Sequence, residues 1–256
     1  MIVAPAWFPF SLVLVTALIG TVVVTFGAAV LRARDRDDPS PVVRLTLWLA
    51  AIWAAASVVG ALVVVLTTLL QPSIHITVPV QEFWPQLPDR VVIDGPTATR
   101  DGGGFRWADL MARDVSAGVR VTWAISQALA WVVPGTIAAM IAVACFQLLA
   151  GRAFAPVVAR MAMITAIVVA AGGVAAQMLG DVAGSMAATE LFFVGASQSP
   201  ADIDGIDDVL QAWWPQPAGF ALTLPFWPIA AGLAFAALAA ILRYGSRLQR
   251  DTEGLV

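Results

Sequence analysis

Long uninterrupted apolar stretches limit what this chain can fold into. Residues 46–70, "TLWLAAIWAAASVVGALVVVLTTLL", contain no charged side chain. A helix needs about 20 predominantly apolar residues to cross the hydrocarbon layer of a bilayer. Further stretches of this kind occur at 8–31, 122–149, 158–180 and 222–242. The pattern predicts an all-α integral membrane bundle, one membrane domain over 1–256 with five transmembrane helices.

Composition supports this class. Charged residues make up 12% of the chain and apolar residues 60%, whereas soluble proteins carry about 25% charged residues. A water-soluble fold would lack the polar residues to cover its surface. All 14 basic residues are arginine, which together with the abundant alanine, valine and glycine indicates a bacterial genome rich in G and C. We therefore expect a multi-pass protein of the bacterial inner membrane.

The distribution of arginine predicts the orientation. The linkers 32–45 and 150–160 and the tail after 242 hold nine arginines in about 40 residues. The loops 71–121 and 181–219 hold five in about 90 residues, and the second of them has six acidic residues and no base. Arginine accumulates on the cytoplasmic side of membrane proteins. We therefore expect the N-terminus outside, the C-terminus inside, and both long loops outside. Because arginines follow the first stretch instead of preceding it, that stretch is predicted to be an uncleaved helix.

The two outer loops are predicted to form a small β-rich cap. Several of their segments alternate apolar and polar residues or are rich in β-branched and aromatic residues, which is typical of strands. These segments are "HITVPV" (75–80), "RVVIDG" (90–95), "FRWADLMARDV" (105–115), "TELFFVGAS" (189–197) and "GFALTL" (219–224). A sheet that takes strands from both loops would satisfy their backbone hydrogen bonds.

Small residues recur every fourth position along the span at 158–180 and beyond it. They are Gly172, Ala176, Gly180, Gly184 and Ala188. Such a stripe lets a neighbouring helix approach closely, and close packing drives helix association in lipid. Rows of this kind also arise by chance in a chain rich in alanine and glycine. We interpret the stripe as a packing face, whose partner is a helix of the same chain or of a second copy in a homo-oligomer.

The ionisable groups predict no catalytic, cofactor or metal site. Asp181 lies at the outer end of a span, where we expect it to face water. His75 is the single histidine, which excludes metal sites built from several histidines. The acidic loop 202–208, "DIDGIDD", has its glycine at the wrong position for an EF-hand, so a solvated loop is favoured over a loose cation site. Cys145, the single cysteine, is expected to be a small apolar side chain of a helix. No phosphate-binding or nucleic-acid-binding motif occurs.

Two stretches resemble a known family. "LLAGRAFAPVVARM" (148–161) joins two spans through a short linker, and "WPIAAGLAFAALAAILRYGSRLQRDTEGLV" (227–256) carries the last span into a charged tail. Together they resemble the bacterial membrane family catalogued as domain of unknown function 2975, over residues 45–256. The matching positions are Gly151, Arg152 and Phe154 in the linker and Gly245, Leu248 and Asp251 in the tail. The family core has four spans, so the first helix is additional here. The resemblance implies a regulatory role beside a helix-turn-helix regulator and supplies no catalytic residues.

Two functions remain open from the sequence. The first is a non-enzymatic sensor or scaffold in the lipid bilayer, whose cap faces the envelope and whose arginine-rich side meets a cytoplasmic regulator, without direct nucleic-acid binding. The alternative is a small transporter or permease subunit. It predicts a polar path lined by Gln127, Gln147 and Gln177, the glutamines within the spans.

Overall fold

A computed structural model describes residues 40–84, 98, 101–152, 154–193 and 214–253. This part of the chain forms four long helices and one small sheet, which lies between the first two helices in the sequence. The elements are α1 (Ser40–Leu70), β1 (Ser73–Phe83), β2 (Phe105–Arg113), α2 (Ala117–Leu149), α3 (Pro156–Phe192) and α4 (Phe226–Glu253).

All four helices of the described residues are long and apolar enough to cross a membrane. The most apolar is α1, with a mean hydropathy of 2.5, and only 6% of its most apolar window is buried inside the protein. Its leucine, valine and tryptophan side chains are therefore free to face lipid, which is where an apolar surface of this size is stable. The chain is thus compatible with a multi-pass membrane bundle. The predicted span at 8–31 lies outside the described residues.

Local sequence explains how α2 ends and α3 begins. Gly151 has a positive φ of 72°, a conformation that glycine adopts at little cost. The Gly151 N–H donates to Leu148 O and the Arg152 N–H donates to Gln147 O, which is the Schellman pattern of a helix C-terminus. Pro156 then opens α3, where a residue without an N–H loses no helical hydrogen bond.

Helix α3 has two features that the sequence did not predict. Val168–Gly172 form a π-helical turn between α-helical Pro156–Ile167 and Gly173–Phe192. The helix also continues to Phe192, so the strand predicted from Thr189 is wrong for 189–192. The physical reason is tertiary, because Phe192 is buried against the sheet and the Phe193 N–H closes the last turn on Thr189 O.

The two strands pair antiparallel, with Ser73 opposite Arg113 and Pro79 opposite Trp107, and an irregularity between Pro79 and Phe83. Both strands come from the first long loop, as predicted for 75–80 and 105–113. The described residues of the second loop contribute one isolated bridge, Val80 to Pro217. Residues 219–224 are not extended into a strand, so that prediction is wrong. Gly219 has a φ of 72° there, which interrupts an extended run. The strand predicted at 90–95 lies outside the described residues.

The chain divides into two compact units. The described parts of the first are 40–56, 135–166 and 234–253, and its core is a cluster around Met140, Ala162 and Ala239. The second unit comprises Ser57–Pro134 and Ile167–Leu233. Its core lies between the sheet and the end of α3 and includes Ile76, Val78 and Phe192. The candidate functional site belongs to this second unit.

Candidate functional site

The sheet formed by β1 and β2, called the sheet cap here, has one buried face and one exposed face. Successive side chains of a strand point to opposite faces, and on the buried side Ile74, Ile76, Val78 and Val80 pack against the last two turns of α3. Their partners there include Ala187, Ala188 and Phe192. Burial of this alternating set orients the sheet, and the other alternate set faces outward except for Pro79, which is buried beside Gly184.

The exposed side of the sheet cap carries a set of apolar, largely aromatic side chains among polar ones such as His75, Thr77 and Asp109. We call the apolar set the aromatic face, and it consists of Trp84, Phe105, Trp107 and Met111. Trp107 and Met111 are 48% and 67% exposed, and Trp84 stacks on Phe105 with ring centroids 5.3 Å apart. An apolar patch of this kind on the polar end of a protein marks a surface that meets another molecule.

Two polar cross-strand pairs, one of them between Trp107 and Met111 along β2, accompany the aromatic face. Arg106 donates through Nη2 to Glu82 Oε2 at 2.6 Å across the two strands, and Thr77 Oγ1 donates to Asp109 Oδ1 at 2.5 Å. Both pairs are exposed, and such pairs contribute little to stability, about 0–1 kcal/mol each. Cross-strand pairs do favour one register over a slipped one, so their effect here is to hold the aromatic residues in place.

The sheet cap is joined to α3 at Gly184. A Cβ atom at this glycine would lie 2.6 Å from Thr77 O and 3.4 Å from Pro79 Cδ. Because Gly184 has no side chain, the helix backbone lies directly against the edge of β1 that β2 leaves free. An uncovered strand edge is a site of unwanted pairing, and here the helix and the bridge from Pro217 cover it.

A second connection joins α3 to the segment that leads into α4. Asp181 accepts a hydrogen bond from the Thr223 N–H at 2.5 Å through Oδ2 and one from Gln177 Nε2 at 2.8 Å through Oδ1. One turn later, Ser185 Oγ donates to Asp181 O at 2.7 Å and accepts from the Ala221 N–H at 3.3 Å. We call these five residues the Asp181 clamp.

The clamp corrects one prediction. Asp181 was expected to face water at the membrane edge, yet the residue is only 5% exposed. A buried carboxylate is stable when its oxygens accept hydrogen bonds, and Thr223 and Gln177 provide them. The role of Asp181 shown by these contacts is to hold the start of α4 on α3.

The ends of α1 and α2 are tied by Arg120. Its Nη1 donates to Gln71 O at 2.6 Å and Thr68 O at 3.2 Å, and its Nη2 donates to Pro72 O at 2.7 Å. The guanidinium thus satisfies carbonyls at the end of α1 and places a positive charge where the helix dipole is negative. A positive charge in the first turn of a helix is unfavourable because that end of the helix dipole is positive. This was the one signal in the sequence that the Arg120 side chain binds the end of a different helix.

Two further side chains complete the helix ends around the sheet cap. Ser116 Oγ accepts from the Val119 N–H at 3.3 Å, as an N-cap of α2, while its own N–H donates to Glu190 Oε2 at 2.9 Å. Trp214 Nε1 donates to Phe192 O at 3.1 Å at the end of α3. Side chains of neighbouring segments therefore hold one end of each described helix. Arg120 holds the end of α1, Glu190 the start of α2 and Trp214 the end of α3. Asp181 holds the segment that leads into α4.

The predicted stripe of small residues makes its contacts within the chain. A Cβ at Gly172 would lie 3.3 Å from Val133, and one at Gly180 would lie 3.0 Å from Ser126 Oγ. Between them, Ser126 Oγ donates to Ala176 O at 2.7 Å. Gly184 and Ala188 continue the row onto the sheet cap. The stripe thus packs on α2 first and on β1 next, and this packing needs no second copy.

Two family-motif positions from distant stretches meet in the first unit. Phe154 of the linker lies on Gly245 of α4, where a Cβ would be 2.6 Å from Phe154 Cδ1. Gly151 and Arg152 form the end of α2 described above, and Leu248 is exposed. Asp251 lies in the last described turn of α4. Gly245 leaves room for the ring of Phe154, so the contact explains why these two residue types occur together.

Substitution of Gly245 by alanine is expected to lower the free energy of unfolding by about 1–3 kcal/mol, because the new methyl group overlaps a ring. In the background Phe154→Ala the same change should cost clearly less, with a coupling of about 1 kcal/mol or more. Unfolding can be followed with a thiol-reactive fluorophore at Cys145, the single cysteine. Additive effects of the two substitutions would contradict the contact.

The other polar residues that the sequence singled out lie on α2, α3 and β1. Gln177 is exposed and donates to Asp181, while Gln127 is half-buried on α2. Gln147 lies in the first unit and is half-buried near the end of the same helix. His75 is exposed on β1, opposite Met111. Within the described residues, no three His, Cys, Asp or Glu side chains are grouped as metal ligands would be. The acidic loop 202–208 lies outside that part.

Comparison with known proteins finds no matching family model, no matching curated protein and no matching solved structure. The site is therefore interpreted from its own geometry.

Proposed function

We propose that this chain is a non-enzymatic sensor or scaffold of the bacterial inner membrane, and that the aromatic face is its contact surface for a protein partner. The observation that carries the proposal is that the aromatic face stands on a sheet whose other face packs on the end of α3 through buried apolar side chains and whose edge meets α3 at Gly184. We further propose the orientation implied by the arginines, with the sheet cap outside and the end of α4 in the cytoplasm.

The sheet cap is built to transmit a contact. Interiors are close-packed and transmit strain, and the backbone of β1 touches α3 at Gly184 with no side chain between them. From α3 the Asp181 clamp leads to Thr223, three residues before α4 begins at Phe226. A partner that shifts the sheet cap would thus act on α3 and α4 through short contacts. A scaffold would use the same stiffness to hold its partner in a fixed position.

The cytoplasmic half of the proposal rests on α4 and on the family resemblance. Helix α4 continues to Glu253, beyond its apolar part, and Arg247 lies 5.9 Å from the ring centroid of Tyr244. A helix of this kind presents a charged surface beside the bilayer. We propose that it meets a cytoplasmic regulator, in line with the regulatory role that the resemblance to domain of unknown function 2975 implies.

The transporter is the second proposal, and one observation places it behind the sensor or scaffold. A polar path would need the three glutamines to face one another, and Gln177 instead holds the carboxylate of Asp181 at 2.8 Å. The Gln177 amide is bonded within the Asp181 clamp, and this bond supports a sensor or scaffold over a carrier.

The contact surface can be tested with a photo-crosslinking amino acid at Met111 in living cells. We expect one discrete protein adduct, because Met111 is the most exposed residue of the aromatic face at 67%. Ile52 on α1 is the matched control, since it is similarly exposed at 62% but lies on a predicted lipid-facing surface. The substitution Trp107→Ser should reduce the Met111 adduct at least fivefold, as expected for loss of an aromatic anchor.

Two results would count against the proposal. One is an equal yield of the same protein adduct from Met111 and Ile52, which would indicate random collisions. The other is labelling of Met111→Cys, in a Cys145→Ser background, by a membrane-impermeant thiol reagent only after the cells are opened. That second result would place the sheet cap on the cytoplasmic side and reverse the orientation.

A further inference from the structure

An apolar groove runs between α1 and α2 in the second unit. It has a volume of about 210 Å³. All eight lining residues are aliphatic: Val65 and Leu69 from α1 and Val121, Ala124, Ile125, Ala128, Leu129 and Val132 from α2. Such a lining offers no hydrogen bond to water, so water gains nothing there. The occupant must be apolar.

The size and the surroundings of the groove indicate the type of occupant. Ligand pockets for drug-sized molecules measure about 300–1,000 Å³, so 210 Å³ fits a narrow molecule such as a single hydrocarbon chain. The helix α1 that forms one wall is the most apolar helix and the least buried inside the protein. In a bilayer, acyl chains surround such a helix, and one of them can lie along the groove.

A positive charge closes one end of the groove. Arg120 directly precedes the lining residue Val121, and its guanidinium donates to Thr68 O and Gln71 O on either side of the lining residue Leu69. The backbone of Arg113 lies at the same junction, since it pairs with Ser73, the residue after Pro72. A guanidinium has five N–H donors in a fixed fork, so donors remain on Arg120 after its bonds to the carbonyls of α1.

We propose that this groove binds one acyl chain of a phospholipid whose phosphate is held by Arg120 and Arg113. Arginine pairs readily with phosphate because its planar fork matches two phosphate oxygens. The polar end of the lipid then sits at the junction of α1, α2 and the sheet cap, and the chain runs between the helices. The proposal is independent of the sensor function.

The experiment uses the full chain in detergent and native mass spectrometry with added palmitoyl-oleoyl phosphatidylglycerol. Phenylalanine at Ala128 fills the groove, and Ala128→Phe is expected to weaken binding of the first lipid at least tenfold. Ala130→Phe is the matched control, because Ala130 lies on the same helix, is exposed and does not line the groove. It should leave the affinity within twofold of the unmodified chain.

The headgroup contact is tested separately. Arg113→Gln removes a charge without touching the hydrogen bonds of Arg120 and should weaken binding about threefold. A diacylglycerol with the same chains has no phosphate, and it should bind at least tenfold more weakly than the phospholipid. Folding of each variant is checked by the rate at which a thiol reagent reaches Cys145. If Ala128→Phe does not fold, the smaller Ala128→Leu replaces it, with an expected loss of at least threefold.

Three outcomes would overturn the proposal. Equal affinities of the Ala128 and Ala130 variants would show that lipid does not use the groove. Equal binding of diacylglycerol and phospholipid would remove the phosphate contact. Unchanged affinity in Arg113→Gln at low salt, where charge effects are largest, would show that the charge at this end does not recruit a headgroup.

Discussion

Replacing Gly184 with alanine is expected to lower the free energy of unfolding by about 3 kcal/mol, at the upper end of the usual cost of overpacking. The added Cβ would lie 2.6 Å from the carbonyl oxygen of Thr77, well inside van der Waals contact. The obstacle is backbone in a paired strand, so it cannot rotate away as the end of a side chain can. Either α3 or β1 must move, and the buried residues Ala187 and Val78 would lose their packing.

Two other glycines provide controls for Gly184. At Gly180 the nearest atom to an added Cβ is Ser126 Oγ at 3.0 Å; this side-chain atom can move at the cost of its hydrogen bond to Ala176 O, so Gly180→Ala should cost about 1 kcal/mol. At Gly102 an added Cβ has no neighbour within 4 Å, and Gly102→Ala should change stability by less than about 0.5 kcal/mol. Reaction of Cys145 with a thiol dye during heating measures all three. Equal costs at the three positions would contradict the close approach of α3 to β1.

Replacing Asp181 with alanine is expected to cost about 3 kcal/mol. The change removes two hydrogen bonds to a charged group, which contribute about 1.5–3 kcal/mol each, and leaves the Thr223 N–H without its acceptor at 2.5 Å. Asp181→Asn should cost about 1–2 kcal/mol, because it keeps one oxygen acceptor but turns an N–H₂ group toward Thr223 or Gln177. Hydrogen exchange should rise at residues 221–223, where the clamp holds the chain.

The matched control is Asp101→Asn, since Asp101 is exposed in the turn before β2. It should leave both the unfolding midpoint and exchange at 221–223 unchanged. If the Asp181→Ala variant unfolds at the same midpoint as the unmodified chain, the clamp does not stabilise the fold. If exchange rises uniformly along α3 and α4, the effect is global and the specific link from Asp181 to Thr223 is wrong.

Elements whose cause is local were predictable from the sequence. A run such as 46–70 can avoid water only in lipid or a core, so its length and lack of charge indicate a spanning helix. The segments 75–80 and 105–113 alternate with the period of a strand, and both lie in β1 and β2. Gly151 and Pro156 are local stop and start residues for helices. Each of these conclusions needs only the residues of one segment.

Elements that depend on a distant partner were missed for a common physical reason. The short segment 189–192, "TELF", has no periodicity that separates strand from helix, and it is helical in a context where Phe192 is buried under the sheet cap. Asp181 was expected in water because nothing beside it in the sequence shows that Thr223, forty-two residues later, supplies an N–H. The role of Arg120 was equally hidden, since its acceptors lie at the end of another helix.

The sequence by itself determined that this chain forms long apolar helices of the length that crosses a membrane, because the free energy of transferring long uncharged stretches from water depends only on composition and length. It also indicated the strands at 75–80 and 105–113. Only the tertiary structure decided which groups become buried partners: Gly184 against Thr77, Asp181 under Thr223, and Arg120 across the end of α1. Hydrogen bonds and close contacts depend on distance and angle between segments, and those quantities exist only once the chain has folded.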